Sequence, residues 1–420
     1  MAELLVPNRQ VYDPSSTTAP SAVMLAIMEL ICFPGSNPLP DLALSLHLRP
    51  DRVWLAQVDG YEDRSARLAN LLERHDFDVN TFVLPAFSSD CAHADTLLEA
   101  LSLVLEGTGS RQCVLALGDA AGPWELVCLQ VLHGLLPVDA FQVLAVVESA
   151  RRLARLAPEP VTVSNLPSVL APDDYLSACN ATLRRSDSDE CAFAEAVQAR
   201  RSLTLLLARE CAALGSGLGT LNYLASNALD REIDVVSVPK QNLPKAPARS
   251  LREALEAMQS AGLLDYDGHC ELIFRSAVAC RYIAGGWLED YAWLTATELG
   301  AEHVHAGLEL TWNADKGISP RNELDLFVLH HNRALTVECK AAHMGEGDTT
   351  AKILYKLDSI ADRLSSLPGN AALLSAREVP ELIVKRARAQ DIEVFAAAGL
   401  TGFREWLKEW LDHGVVVIGP

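Results

Sequence analysis

The residues best suited to chemistry lie in one stretch: Asn322-Glu323-Leu324-Asp325-Leu326-Phe327-Val328-Leu329, then His330-His331-Asn332-Arg333, then Ala334-Leu335-Thr336-Val337-Glu338-Cys339-Lys340. Both flanks alternate, which predicts two strands, each with one buried face. Leu324, Leu326 and Val328 share a face on the first strand; Leu335, Val337 and Cys339 share one on the second. A two-residue turn at Asn332 and Arg333 would set Leu326 opposite Cys339 and Val328 opposite Val337. The same register sets Asp325 opposite Lys340 and Phe327 opposite Glu338, so Asp325, Glu338 and Lys340 cluster on the other face. Two carboxylates suit Mg²⁺ or Mn²⁺, hard ions that accept phosphate oxygens. A lysine beside them can orient or deprotonate a water and offset charge on a reacting phosphate. That is the chemistry of metal-assisted phosphodiester hydrolysis. An ordinary acid–lysine pair across a surface hairpin has the same spacing, and alternation alone leaves both readings open.

Two neighbouring segments could complete such a site. Upstream, Gly285-Gly286-Trp287-Leu288-Glu289-Asp290-Tyr291 starts a helix, with Glu289 beside its apolar stripe, where the helix dipole also favours an acid. Downstream, residues 352–364 form a helix carrying Lys352 and Lys356 one turn apart. His303, His305, His330, His331 and His343 gather nearby, but their spacing follows no zinc or HNH pattern.

The elements that hold these residues differ along the chain. Residues 24–33, 52–58, 77–84, 112–117 and 141–147 read as strands, and 64–75, 94–106 and 124–133 as amphipathic helices. This alternation predicts a parallel α/β sheet, whose ligands bind beyond the carboxyl ends of its strands. Two loops qualify there: one with Ser36 and Asn37, the other Gly118-Asp119-Ala120-Ala121-Gly122-Pro123, whose N–H groups open a helix. The first strand lacks the GxGxxG that a dinucleotide pyrophosphate needs, which argues against a nicotinamide dehydrogenase. From about residue 157 prolines mark a connector, followed by a long helix over 192–214, a short one over 250–260 and a strand over 271–274.

The 420 residues, half of them apolar, suit two or three folded domains. Fifty-five acidic against 35 basic side chains leave a charge of −20, which speaks against a protein that coats nucleic acid indiscriminately. It permits local handling of nucleic acid through basic patches such as Lys352, Lys356, Lys385, Arg386 and Arg388, because salt screens distant charge beyond roughly 8–10 Å. Ten cysteines without a CxxC pair read as reduced core thiols of a cytoplasmic protein. No secretory signal and no apolar run of membrane-spanning length is legible.

Four blocks in this order resemble a known family: Gly286-Trp287-Leu288-Glu289, Asn322-Glu323-Leu324-Asp325, Val337-Glu338-Cys339-Lys340 and Lys356-Leu357-Asp358. They look like the PD-(D/E)xK domain of the CRISPR ancillary nucleases, in which a CARF-type sensor is fused to a restriction-endonuclease-like domain. Gly35-Ser36-Asn37-Pro38 and His47-Leu48-Arg49-Pro50-Asp51 resemble the CARF ligand loop and second-strand entry. The resemblance implies a Rossmann-like sensor over 1–155, a helical connector over 156–280 and a nuclease domain over 281–420. It also implies that Asp325, Glu338 and the carbonyl of Cys339 hold Mg²⁺ or Mn²⁺ and that Lys340 positions or activates water. Glu289 would assist, with Lys356 and Glu323 as further candidates. A cyclic oligoadenylate, commonly cyclic tetra-adenylate, would bind Ser36, Asn37 and Gly118, Asp119, Ala120, Ala121 and Gly122 across a homodimer and switch on cleavage of DNA, by nicking, or of RNA. The fourth-strand loop departs from the family, with no threonines or lysine for phosphates and an acid among its residues. That departure leaves two alternatives: a nuclease gated by another ligand or constitutive, and a regulator that binds nucleic acid without cutting.

Overall fold

In the computed structural model of the chain the described residues are 27–88, 93–105, 111–118, 122–147, 151–313, 321–345, 348–364 and 370–413. They divide into two units, Met1–Cys179 and Asn180–Pro420.

In the first unit, strands and helices alternate: β1 (Ile27–Cys32), α1 (Leu39–Leu48), β2 (Arg52–Val58), α2 (Glu62–Glu73), β3 (Val79–Leu84), α3 (His93–Leu105), β4 (Arg111–Leu117), α4 (Pro123–Leu135) and β5 (Phe141–Val147). Two further strands, β6 (Arg152–Ala157) and β7 (Thr162–Asn165), precede α5 (Pro172–Ala178). The sheet runs β3-β2-β1-β4-β5-β6-β7. Its first five strands are parallel, and β6 and β7 are antiparallel. β1 lies centrally, and Leu30, Ile31 and Cys32 are wholly buried, as an apolar run covered on both faces must be. The strand order reverses between β1 and β4, which opens a crevice beyond their carboxyl ends. The helix α1 was not expected; it is apolar nearly all round, so its sequence carries little helical periodicity. The prolines expected to mark a connector lie between β6 and β7 (Pro158, Pro160), after β7 (Pro167) and at the first turn of α5 (Pro172), positions where a missing N–H breaks no ladder or helix hydrogen bond.

The second unit begins with β8 (Ala181–Arg185), α6 (Phe193–Leu214), α7 (Ser216–Ala228) and the short strands β9 (Leu229–Asp230) and β10 (Val235–Val236). Then come β11 (Lys240–Asn242), α8 (Arg249–Ser260), β12 (Leu264–Tyr266), β13 (Glu271–Phe274) and α9 (Ala277–Arg281). A π-helical turn over Tyr282–Gly286 leads into α10 (Trp287–Glu298). The remaining elements are β14 (His303–Trp312), β15 (Arg321–His330), β16 (Arg333–Lys340), α11 (Asp348–Leu364), β17 (Ala371–Ser375), α12 (Glu381–Ala389), β18 (Ile392–Ala396) and α13 (Gly402–His413). The main sheet runs β18-β17-β16-β15-β14-β8, antiparallel from β8 to β16 and parallel from β16 to β18. The expected domain edges at 155/156 and 280/281 fall inside β6 and α9.

The hairpin of β15 and β16 corrects the expected register. Its turn is His331–Asn332, and Leu326 pairs with Val337, Val328 with Leu335 and His330 with Arg333. Both turn residues have positive φ, 47° and 60°, the geometry of a type I′ turn, in which Asn is favoured. The register differs by two positions, so the apolar faces still coincide, but Phe327 faces Thr336 and not Glu338. The strands are also buried on both faces in their central part: Phe327 and Val328 are each 0% exposed. One face packs with Leu288 and Ala292 of α10 in the main core, while neighbouring β17 joins Leu354 and Leu357 of α11 in a second cluster.

No described helix is long and apolar enough to cross a membrane. The described cysteines form no disulfide, and Cys32, Cys113, Cys128 and Cys280 are buried as expected.

Candidate active site

Alternation along β16 puts Glu338 and Lys340 on one face and turns the Cys339 side chain into the core, where its Sγ lies 3.8 Å from the carbonyl of Leu288. The Lys340 ammonium then meets three oxygens. It lies 2.6 Å from Glu338 Oε1, 3.0 Å from the Cys339 carbonyl and 3.5 Å from Asp325 Oδ2. The Asp325 carboxylate is fixed from the other side, because its Oδ2 accepts the backbone N–H of Cys339 at 2.6 Å. From α11, Lys356 reaches within 3.8 Å of Glu338 Oε2 and donates to the carbonyl of Glu323 at 3.2 Å. Asp325, Glu338, Cys339, Lys340 and Lys356 thus come together, and Glu323 contributes through its backbone.

Glu289 joins them electrostatically. Burial, with the Asp325 carboxylate next in weight, pushes its carboxyl up to about 8. The π-helical turn before α10 delivers it, and that turn depends on Gly285, whose φ is +152°. A Cβ at Gly285 would lie 3.0 Å from the Cβ of Ala341, the residue after Lys340. Burial, then the Glu338 charge, also raises Asp325. For Lys340 burial favours the neutral amine, but Asp325 and Glu338 outweigh it and hold the ammonium above its ordinary range.

The donor set fits a hard divalent cation: two carboxylates and a backbone carbonyl converge on one positive centre, and the Cys339 sulfur is turned away into the core. A different group forms at the hairpin tip. Glu302, His330 and His331 bring ligand atoms within 4.8 Å of one another, and Glu302 Oε2 accepts the backbone N–H of His331 at 2.8 Å. Glu302 was not anticipated, because it precedes β14 and meets the tip only through sheet pairing.

In the first unit, Ser36, Asn37, Gly118 and Gly122 line one cavity of about 600 Å³ at the crevice between β1 and β4. Asp119, Ala120 and Ala121 lie outside the described residues. The Asn37 side chain accepts the N–H of Leu39 at 3.0 Å and so serves the start of α1. The N–H groups expected to face an anion already have one: Glu125 accepts from Gly118 at 3.1 Å and from Gly122. The latter contact is half of a capping box at the start of α4. Burial raises the Glu125 carboxyl, although the two N–H groups pull it down. The walls add Phe33, Tyr61, Phe87 and Trp124, with Arg64 stacked 4.1 Å over the Tyr61 ring. Tyr61 and Arg64 escaped notice because an exposed start of an amphipathic helix carries no sign of what it faces.

Residues 276–414 match the family model described as Card1-like, endonuclease domain. No curated protein matches the chain. Among solved structures, protein VC1899 from Vibrio cholerae is similar over 93% of this chain and 99% of its own, with a TM-score of 0.78 and 21% identity. Can2 from Sulfobacillus thermosulfidooxidans, solved in complex with cyclic tetra-adenylate, is similar over 91% of this chain and 99% of its own, with a TM-score of 0.69 and 18% identity. At these identities the likeness establishes the two-part α/β fold.

Proposed function

We propose that the chain is a metal-dependent endonuclease of CRISPR defence, switched on by a cyclic oligoadenylate, a reading supported by the match of residues 276–414 to the Card1-like endonuclease model. The observation that carries this reading is the convergence of Asp325, from the middle of β15, with Glu338 and the Cys339 carbonyl around Lys340 at the carboxyl end of β16. Asp325, Glu338 and the Cys339 carbonyl would hold Mg²⁺ or Mn²⁺, which would supply Lewis-acid polarisation of the scissile phosphate. Lys340, kept protonated by its neighbours, donates hydrogen bonds to the attacking water and offsets charge on the phosphate. Lys356 adds a second positive charge beside Glu338, and Glu289 holds a proton close to Asp325.

The ligand reading is supported by the cavity at the β1–β4 crevice and by Can2, a structural relative bound to cyclic tetra-adenylate. The working unit is a homodimer, because a ring of repeated nucleotides presents the same chemistry twice and suits a two-fold pair of cavities. Binding switches cleavage only through its differential affinity for two dimer arrangements. One observation favours a second reading, gating by another ligand: the Glu125 carboxylate holds the N–H groups of Gly118 and Gly122.

The test is incubation of supercoiled plasmid and labelled RNA with the full chain, Mn²⁺ and, in turn, cyclic tri-, tetra- and hexa-adenylate. Nicking that needs Mn²⁺ and one ring, and is lost in Glu338→Ala, is expected. Ring-independent nicking would leave the nuclease and remove the gating; intact substrates throughout would remove the enzyme.

A further inference from the structure

The parallel strands β16 and β17 end side by side, with Lys340 opposite Ser375, and a groove of about 840 Å³ lies beyond them. His343, three residues past Lys340, and Arg377, two past Ser375, line one wall; Gly219, Asn222 and Tyr223 of α7 line the other, with Arg231 nearby. The wall of α7 is tied to the site, because Asn222 Nδ2 donates to the carbonyl of Ala341 at 3.2 Å. Arg377 is seated on the bare backbone of Gly219: a Cβ there would lie 2.5 Å from Arg377 Nη1. Among the described residues neither Arg231 nor Arg377 is ion-paired; Arg231 donates only to Ser226 Oγ, at 3.4 Å. Tyr223 is 65% exposed at the same groove.

We propose that this groove seats the nucleic-acid strand flanking the scissile bond. Arg377 and Arg231 take backbone phosphates, and the ring of Tyr223 takes the face of a base. The assignment rests on the nuclease reading for the identity of the strand, and on the groove itself for its location. Arg377 is a positioning residue, two positions beyond the partner of Lys340, and acts on where the strand lies.

The test measures anisotropy of a labelled oligonucleotide bound to the full chain in chelator, with and without cyclic tetra-adenylate, across a salt series. Wild type is compared with Arg377→Ala, Gly219→Ala, Tyr223→Ala and, as a control on the exposed face of α13, outside the groove lining, Lys408→Ala. Arg377→Ala should weaken binding and lower the log–log salt slope by about one. Gly219→Ala should weaken it without removing a charge, by displacing the guanidinium. Tyr223→Ala should cost about five- to a hundred-fold without changing the slope. With Mn²⁺, Arg377→Ala should raise KM far more than it lowers kcat. Binding by all groove variants equal to wild type, an equal loss in Lys408→Ala, or no binding by wild type would overturn the groove. If wild type binds through the groove residues but never cleaves, the groove stands and the nuclease reading falls.

Discussion

The Lys340 ammonium lies 2.6 Å from Oε1 of Glu338, two positions back on the same strand, so the pair is set by the pleat of β16 and needs no loop to assemble it. Glu338 has a side chain only 7% exposed and Lys340 one 28% exposed. Each is therefore expensive to leave alone. Lys340→Met and Glu338→Gln should each lower metal-dependent cleavage by about a hundred-fold or more, the range seen when a preorganised charge-stabilising group is removed. Single-turnover cleavage with saturating Mn²⁺ measures it, alongside circular dichroism to show that the variants fold.

Metal binding should also be visible without any substrate. Added Mn²⁺ should raise the melting temperature of the wild type through linkage, by about 2.7 kcal/mol of stability at a hundred times Kd. Asp325→Asn and Glu338→Gln should lose most of that gain. Equal stabilisation of all three proteins would place the ion elsewhere, and the Glu302, His330 and His331 group at the hairpin tip would be the next position to vary.

The pH dependence of the metal-free protein follows from Glu289. Its carboxyl is pushed from 4.5 up to about 8, mainly by burial. Between those values the native chain keeps a proton that the unfolded chain has released. Stability therefore falls as pH rises through that window and is level above it. In chelator, Glu289→Gln should gain on wild type steadily from pH 5 to pH 8.5 in thermal melts. A constant difference between the two proteins would show that Glu289 does not titrate there.

At the cavity of the first unit, Glu125→Ala should free the N–H groups of Gly118 and Gly122. Calorimetry should show cyclic tetra-adenylate binding about ten-fold more tightly, while loss of the helix cap lowers stability by about 1 kcal/mol. Unchanged or weaker binding would mean that the ligand phosphates do not use these donors.

Gly285→Ala should damage the site from outside it. The added Cβ meets Ala341 at 3.0 Å, and φ of +152° strains any residue with a side chain. A loss of about 1–3 kcal/mol is expected, with cleavage falling further than stability, because the shift acts on Ala341 beside Lys340. Denaturant melts and kcat measured on the same samples separate the two effects.

The two strands of the candidate site were legible in the sequence because alternation is a local property, and it survives a change of two positions in register. The turn itself was misread: Asn332–Arg333 and His331–Asn332 differ only in which residues adopt positive φ. The five parallel strands of the first unit were equally plain, whereas β6 and β7 are short and flanked by Pro158, Pro160 and Pro167, so the stretch reads as a connector. Arg377 carried no signal at all. It gains meaning only because β17 runs parallel to β16, a pairing between segments more than thirty residues apart.

Asp325 Oδ2 accepting the N–H of Cys339 makes one carboxylate part of the hydrogen bonding that joins two strands. The consequence concerns insertions and deletions. Residue 339 supplies its backbone to the site and its thiol to the core, so its side chain can change among small apolar types without altering the donor set. Adding or removing a single residue inside β15 after Asp325, or inside β16 before Cys339, would turn the side chains beyond it to the opposite face. Position 339 therefore tolerates a new side chain far better than either strand tolerates a new length.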